Sequence, residues 1–530
     1  MKRIGLVFFV FLVAARAVAL QPCKTPTTGS RPIVVISDLH FGPGMGTDVA
    51  AFEDFRWPRA LKAFLDALPE KLGLNIDLVI AGDLFEFWQH PTVLCANSSA
   101  NLGCSADDIG KVAEAAISAH TVELQSIGRF ASHGGNHVYV IPGNHDAALL
   151  LDNVWNKVAA AIGGTASNVT RVSEGRWASA DCRVAVEHGH QIGHDLNRFP
   201  DWPRITAGND GHEYVWKPWG EAFVADQFNH VEKNYPLIDN VLPLTAGLKL
   251  YLDEHTIGRD ARDVASFLSF NIFRTSWRQK VALNVYSDSS PASKWDVDKA
   301  RDLGYRLMAS AMPRNDPDRR KLLESSDDTW KEVRHVIDER LADHGATSDE
   351  EIATLCDLAA DYAKEHSLRS NSAEVLAEGV QCQQGLAVAI ATALIPERRI
   401  LTSHVSNIQK TQPKLRYFIY GHTHQYVSPF PVLLESGVSA MVLNDGAFQR
   451  LVSMDTLLAA YRRRHKNEVG EKSSALKTSF DDLPPCYSAA IVEYNRGIAV
   501  PGVWVWVFGE SFRSGTLYKA DALGNVCNLR

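Results

Sequence analysis

The 530-residue chain reads as a layered α/β core split by a mostly helical insertion. Three observations lead there. From Arg31 to about Asn197, short runs rich in β-branched and aromatic residues alternate with helix-spaced segments. From about Arg259 to Ile395 the pattern is almost wholly helical, and strand-like runs return at Arg416. Such a length exceeds one simple core, in keeping with that division. At 45% hydrophobic and 22% charged residues the composition is that of a folded protein, and a net charge of −8 leaves no footprint for nucleic-acid binding.

The first 19 residues have the layout of a signal peptide. Lys2 and Arg3 precede an apolar run, Ile4 to Ala15, and Ala17-Val18-Ala19 supplies a small-x-small cleavage site. The run is short for a membrane span, Arg16 interrupts it, and no later segment has the length and purity to cross a bilayer. A secreted or periplasmic protein, with no transmembrane span once the signal is removed, is therefore expected. Its 8 cysteines then fall into candidate local pairs, Cys95 with Cys104, Cys356 with Cys382 and Cys486 with Cys527, although spacing does not fix connectivity. Cys182, in the apolar context Cys-Arg-Val-Ala-Val, reads as a buried thiol within a strand, and no cysteine spacing suggests zinc.

After a polar lead-in over residues 20–30, the first core segment (31–197) opens with a strand at Ile33–Ile36 and a helix around Ala60–Leu68. A strand at Leu78–Ala81 and one helix from Asp108 to about Ile127 follow. The run Val138-Tyr-Val-Ile reads as a buried strand stopped by Pro142-Gly143, after which Leu150, Leu151, Val154, Trp155 and Val158 recur at helical spacing. Arg183–Glu187 is the next strand. In the insertion (198–395), residues 200–245 are rich in Trp, Pro and Asn. Trp202, Trp216, Trp219 and Phe223 there either wall a site or simply form core. Further on, Trp330, Val333, Ile337 and Leu341 mark one helix face, Gly345 stops it, and Ser348-x-x-Glu351 is a capping box. The second core segment (396–530) carries strands at Arg416–Tyr420, Met441–Leu443, Ala489–Glu493 and Gly502–Phe508. In the last, Trp504, Trp506 and Phe508 face one side and valines the other, so both faces are expected to be buried.

Five strands end in polar side chains that suit a divalent transition metal. The groups are Asp38-Leu39-His40, Gly82-Asp83-Leu84-Phe85-Glu86, Gly143-Asn144-His145-Asp146, His188-Gly189-His190 and Gly421-His422-Thr423-His424. Seven such side chains exceed the need of one ion and suit two ions bridged by a carboxylate. Each triplet alone is weak: Asp210-x-His212 and Asp253-x-His255 repeat the first, and Gly135-Asn136-His137 repeats the third. These copies lack a preceding strand and read as loop, helix or turn residues.

In that order the five groups resemble the calcineurin-like metallophosphoesterase superfamily, over roughly residues 31–197 and 400–450. In detail, Ser37–His40, Gly82–Trp88 and His188–His190 are most similar to its UDP-diacylglucosamine hydrolase branch, from which the signal sequence and the long interruption before His422 depart. The resemblance implies a metallophosphoesterase-type layered β-sandwich core flanked by helices, and two divalent metal ions (Mn, Fe or Zn). It places one ion on Asp38, His40 and His424, the other on Asn144, His188 and His422, with Asp83 bridging, and His190 competes with His188. The implied reaction is hydrolysis of a phosphate mono- or diester by a metal-bridging hydroxide, with no protein nucleophile. His145 would stand at the leaving oxygen, with Asp146 either orienting it or serving as an acid at a helix N-terminus. Glu86 would brace the site or lie at the surface. His190, Asp195 and Asn197 are candidate substrate contacts, and Asn444-Asp445-Gly446 would turn beside the site. Two other readings stand: a hydrolase of a lipid-linked sugar diphosphate or phospholipid, and a metal-stabilised binding protein without turnover.

Overall fold

The computed structural model describes residues 31–46, 50–89, 102–163, 168–192, 197–199, 201–208, 211–218, 220–221, 224–242, 246–247, 250, 398–434, 439–464, 472–509, 514–522 and 527. The signal peptide, the helical stretch 259–395 with its capping box, Trp219, Phe223, Asp253-x-His255 and Asp195 lie outside these residues.

Two sheets face each other. The larger contains β1 (Ile33–Ile36), β2 (Asp77–Ala81), β4 (His137–Ile141), β5 (Val169–Arg171), β15 (Cys486–Asn495), β16 (Ile498–Val507) and β17 (Thr516–Lys519), in the order β17-β16-β15-β1-β2-β4-β5. The smaller contains β6 (Arg176–Ala178), β7 (Val184–Glu187), β11 (Tyr417–Tyr420), β12 (Val427–Leu433) and β13 (Ser439–Asn444), in the order β12-β13-β11-β7-β6. β3 (Leu102–Ser105), β8 (Ile205–Ala207) and β9 (Glu213–Trp216) form a small third sheet, and β10 (Val241–Leu242) pairs with β14 (Val452–Ser453).

The two-residue period of the strands explains the layering. Val34, Ile36, Leu78, Ile80, Val138 and Val140 point to the helices α1 (Pro58–Leu72), α2 (Ala106–Ala119), α3 (Thr121–Ala131) and α4 (Asp152–Ile162). Their neighbours Ile33, Val35, Val79 and Ala81 point the other way, against Val184, Val186, Ile419 and Leu443 of the smaller sheet. The far side of that sheet, with Ala185, Phe418 and Val442, packs on α5 (Arg398–Thr411) through Leu401, Val405 and Ile408. In β16, Trp504 and Trp506 join the helix-side core while Val503 and Val505 join the inter-sheet core, so both faces are buried as expected.

The halves of the chain meet inside both sheets. β15 pairs antiparallel with β1, and β11 pairs parallel with β7. Within the larger sheet β1, β2 and β4 are parallel, and within the smaller so are β7, β11 and β13, which brings their carboxyl ends to one edge. Three expectations change. The helix expected from Asp108 to Ile127 breaks at His120 into α2 and α3. The helix after Gly143 begins as a 3-10 turn, Ala147–Leu150, and becomes α4 only at Asp152, after Leu151 turns extended. Cys182 is no free thiol in a strand: it sits in the turn before β7 and is disulfide-bonded, as is Cys104. Cys486 and Cys527 are joined to each other.

Candidate metal centre

The strand ends turn sharply into the site. Asp38, His40, Asp83, His422 and His424 have φ of 53°, 52°, 51°, 71° and 55°. A side chain in this left-handed region is uncommon and costs of order 1 kcal/mol or more, so five at one edge mark stored strain there. Two motif glycines have a steric reason. A Cβ on Gly82 (φ +94°) would stand 2.4 Å from His188 Nδ1, and one on Gly143 would stand 2.2 Å from Asp83 Oδ1.

Two groups of side chains converge. In the first, Asp38, His40 and His424 bring one donor atom each within 4.8 Å of one another. Asp38 Oδ1 lies 3.3 Å from His424 Nε2, and the Nε2 atoms of His40 and His424 are 3.3 Å apart. In the second, Asp83, His188 and His422 likewise bring one donor atom each within 4.8 Å of one another, and Asn144 joins them, its Oδ1 2.9 Å from His188 Nε2. Asp83 Oδ2 lies 3.0 Å from His188 Nε2 and 3.8 Å from His40 Nε2, so its carboxylate stands between the groups. Asp38, Asp83, Asn144 and His188 are all fully buried.

The donors fit a cation. His188 Nδ1 faces the Ala81 carbonyl at 2.8 Å and His40 Nδ1 faces Glu86 Oε2 at 3.0 Å. With the proton on Nδ1 in each, the Nε2 lone pairs point inward, the arrangement typical of metal-binding imidazoles. At His188 that lone pair then meets Asn144 Oδ1 and Asp83 Oδ2, which are acceptors too. Asp38 Oδ2 accepts the His422 N–H at 2.9 Å, but Asp38 Oδ1 is buried without a hydrogen-bond partner. Converging acceptors of carboxylate, imidazole and carboxamide type are what a first-row divalent metal requires. The acids also set up a negative field that favours positive charge at this place. Burial alone would lower the His40 imidazole, yet the Glu86 hydrogen bond and the Asp83 charge hold it up at about 10. Burial alone would raise Asp38, yet His424 and His188 bring it down to about 2.

Around this centre, His145 Nδ1 lies against Glu86 Oε2, while the His145 backbone N–H donates to Asp83 Oδ1 at 2.9 Å. Trp88 stacks on the His145 ring at 3.9 Å between centroids, fixing its plane. Glu86 is buried, not superficial, and also accepts the backbone N–H groups of Trp88 and Gln89 at 2.7 and 3.1 Å. Asp146 turns away from His145. Its carboxylate accepts N–H groups of Gly143, Leu84 and Phe85 at 2.6, 2.8 and 3.2 Å, clamping the loops after β2 and β4 together. The support of His145 that proximity in sequence suggested for Asp146 thus comes from Glu86. Asn444 Nδ2 donates to the Gly421 carbonyl at 2.7 Å, and Ser37 Oγ donates to Asp445 Oδ1 at 3.0 Å, so that turn braces two of the strand ends.

His190 is buried beside the second group, 4.4 Å from Trp202 and 5.5 Å from Phe199 between ring centroids, and burial holds its pKa well below the ordinary range. Trp202 thus packs on a site histidine, and Trp216 packs on the helix-side core. Asn197 lies beside Gly220, and Asp195 is outside the described residues. The sequence reading assigned no role to Trp88, and it passed over Asp54, Gln89, Glu232 and Asp239, which lie behind Glu86. Loop residues without periodicity carry no signal of such contacts; only the run Glu86-Phe-Trp88 directly after a ligand group pointed that way.

The strand ends of a two-sheet sandwich thus gather these donors around one shared carboxylate. The calcineurin-like phosphoesterase family model matches residues 31–290 of this chain, and members of that family typically bind divalent metals. A UDP-2,3-diacylglucosamine hydrolase of Ralstonia nicotianae is 43% identical over 65 residues, 12% of this chain and 20% of that protein. The chain thus matches about a fifth of that relative's length. The family match ends before Gly421–His424; in the structure, the pairing of β11 with β7 carries that motif to the edge.

Proposed function

We propose that the protein is an exported, dinuclear metal-dependent phosphoesterase acting on a phosphate mono- or diester. The observation that carries this is the meeting of two donor groups, Asp38/His40/His424 and Asn144/His188/His422, at the single buried carboxylate of Asp83. Two divalent ions bound there would supply charge for phosphate oxygens and an activated water. The chain's own residues do the rest. Glu86 fixes His40 and holds His145 by Nδ1, leaving His145 Nε2 to give a proton to the departing oxygen. Trp88 keeps that ring in plane, and the Asp146 clamp sets the distance between the two loops. Export is supported by the signal-like first 19 residues and by the disulfide-bonded Cys104, Cys182, Cys486 and Cys527.

The test is hydrolysis of an aryl phosphate monoester and diester by Mn²⁺-loaded protein. Asp83→Asn is expected to lose bound metal and turnover, and His145→Ala to keep metal but lose at least about 100-fold in kcat. Protein that binds no metal, or turnover unchanged in both variants, overturns the proposal. A lipid-linked sugar diphosphate is the second reading, favoured by the likeness to the diacylglucosamine hydrolase; product analysis on such a lipid beside soluble phosphoesters separates the two.

A further inference from the structure

Glu86 meets both of its histidines with one oxygen, Oε2, so its other oxygen must be fixed for the carboxylate to keep one orientation. Two backbone N–H groups do this: those of Trp88 and Gln89 donate to Oε1 at 2.7 and 3.1 Å. The aim of Glu86 therefore depends on where the turn 86–89 places those two groups. Phe87 stacks on Phe85 at 5.3 Å between centroids, which ties the first half of the turn to the helix-side core.

The second half is tied to residues that follow in the chain well after β7. Gln89, 2% exposed, donates through Nε2 to Glu232 Oε2 at 2.7 Å and to Asp239 Oδ2 at 3.3 Å. Glu232 is fully buried, and a donor given to a buried carboxyl oxygen is costly to remove. An amide supplies that donor without a positive charge that would compete with the histidines for Glu86. The Trp88 carbonyl accepts from Asn229 Nδ2 at 3.4 Å. Its ring is flanked by Gly220, where a Cβ would stand 3.5 Å from the indole and 1.6 Å from Asn197 Oδ1, so only glycine lets the chain close here.

We infer that Gln89 is a positioning residue for His145. Anchored on Glu232, it fixes the turn that aims Glu86 at His145 Nδ1 and sets the Trp88 indole against the imidazole at 3.9 Å between centroids. The inference rests on the proposed phosphoesterase reading, in which His145 gives a proton to the departing oxygen. Gln89 acts through Glu86 and Trp88 and not by contact with the reacting atoms. A displacement of about 1 Å in such a group is enough to lose much of its effect. The segment 229–240 thereby bears on the reaction through a hydrogen bond to one loop.

The test is kcat at saturating Mn²⁺ for substituted phenyl phosphates, as monoesters and as diesters, from the 4-nitrophenyl to the 4-methoxyphenyl ester. At saturating Mn²⁺ the ion itself holds His40, which isolates the effect on His145. A positioned acid matters most where the departing phenolate is most basic. Gln89→Met should therefore lose at least about 10-fold on the 4-methoxyphenyl ester and less than about 3-fold on the 4-nitrophenyl ester, in the same direction as His145→Ala, with bound Mn²⁺ and KM unchanged. Gln89→Glu, which sets a carboxylate against Glu232, should show the same selective loss. Adding Glu232→Gln to it returns the donor from the other side and should restore the wild-type profile. An equal loss on all esters or no loss in the folded Gln89 variants, or a swapped pair no better than Gln89→Glu, overturns the inference and leaves the phosphoesterase reading standing. Wild-type protein that hydrolyses none of the esters overturns that reading, and this inference with it.

Discussion

Glu86 sets two imidazoles at once. Its Oε2 faces His40 Nδ1 at 3.0 Å and lies against His145 Nδ1, so one atom orients both a candidate metal ligand and the histidine proposed for the leaving group. Burial pushes its carboxyl up, but His145 and His40 bring it down to about 2, so it is ionised through the whole working range of pH. Glu86→Gln keeps the size and loses the charge that holds two rings. Metal affinity and kcat should each fall about 10- to 100-fold, read by metal titration and by turnover at saturating metal; a variant equal to wild type in both would leave Glu86 a mere space-filler. At this scale the residues that converge were legible because strand-end context picks one triplet from several. Gly135-Asn136-His137 has the letters of Gly143-Asn144-His145, yet Asn136 spends its side chain on the Ile76 N–H and the Phe130 carbonyl. Which histidine Glu86 reaches was not legible. That depends on how two loops from different strands lie against each other, and Asp146, the nearer acid in sequence, turns to the backbone instead.

The strands with clean alternation were legible as elements, and the breaks between helices were not. No glycine or proline stands next to His120 to mark a break, but the ring there is held by Glu53 and Glu123 at 3.1 Å each and stacks on Phe41 at 4.6 Å. A tertiary contact, absent from local pattern, ends α2 and starts α3. β12 was missed because Pro429 and Pro431 demote it; both are accommodated because the strand lies at a sheet edge and carries an irregular register. The His120 contacts predict a pH effect. Burial would lower its pKa, but the hydrogen bonds and charges of Glu123 and Glu53 raise it from 6.5 to about 9. A group raised in the folded state stabilises fully below its unfolded pKa, and that stabilisation is lost as pH rises through the folded value. The contribution, of order 3 kcal/mol, should therefore disappear between about pH 6.5 and 9. Melting temperatures over that window should fall more steeply for wild type than for His120→Gln; parallel curves would remove His120 from the account.

At the scale of the whole molecule, the layered core was legible from its run of strands, whereas the closure of the chain on itself was not. β1 takes β15 as its neighbour through Ile33–Val492, Val34–Ile491 and Val35–Ala490, a pairing that no local pattern announces. Hydrophobic strands buried on both faces accept many partners; the core selects among them only after collapse. The Cys486–Cys527 bond acts on this closure. Cys486 opens β15, and the bond fastens the chain 41 residues further on, beyond β16 and β17, back to that strand. Closing a loop of this length removes conformational freedom from the unfolded chain worth about 4 kcal/mol on the loop-entropy estimate. The paired variant Cys486→Ala/Cys527→Ala should therefore be destabilised by about that amount. Denaturant unfolding of the oxidised protein and the variant measures it, with peptide mapping under non-reducing conditions to verify the bond. Because β15 sits between β1 and β16 and not at an edge, the loss should appear as a lower midpoint for the whole transition. A separate early phase would instead mean that β15 to β17 unfold on their own. An unchanged midpoint with the bond verified would show that the sheet holds its last strands without the covalent tie.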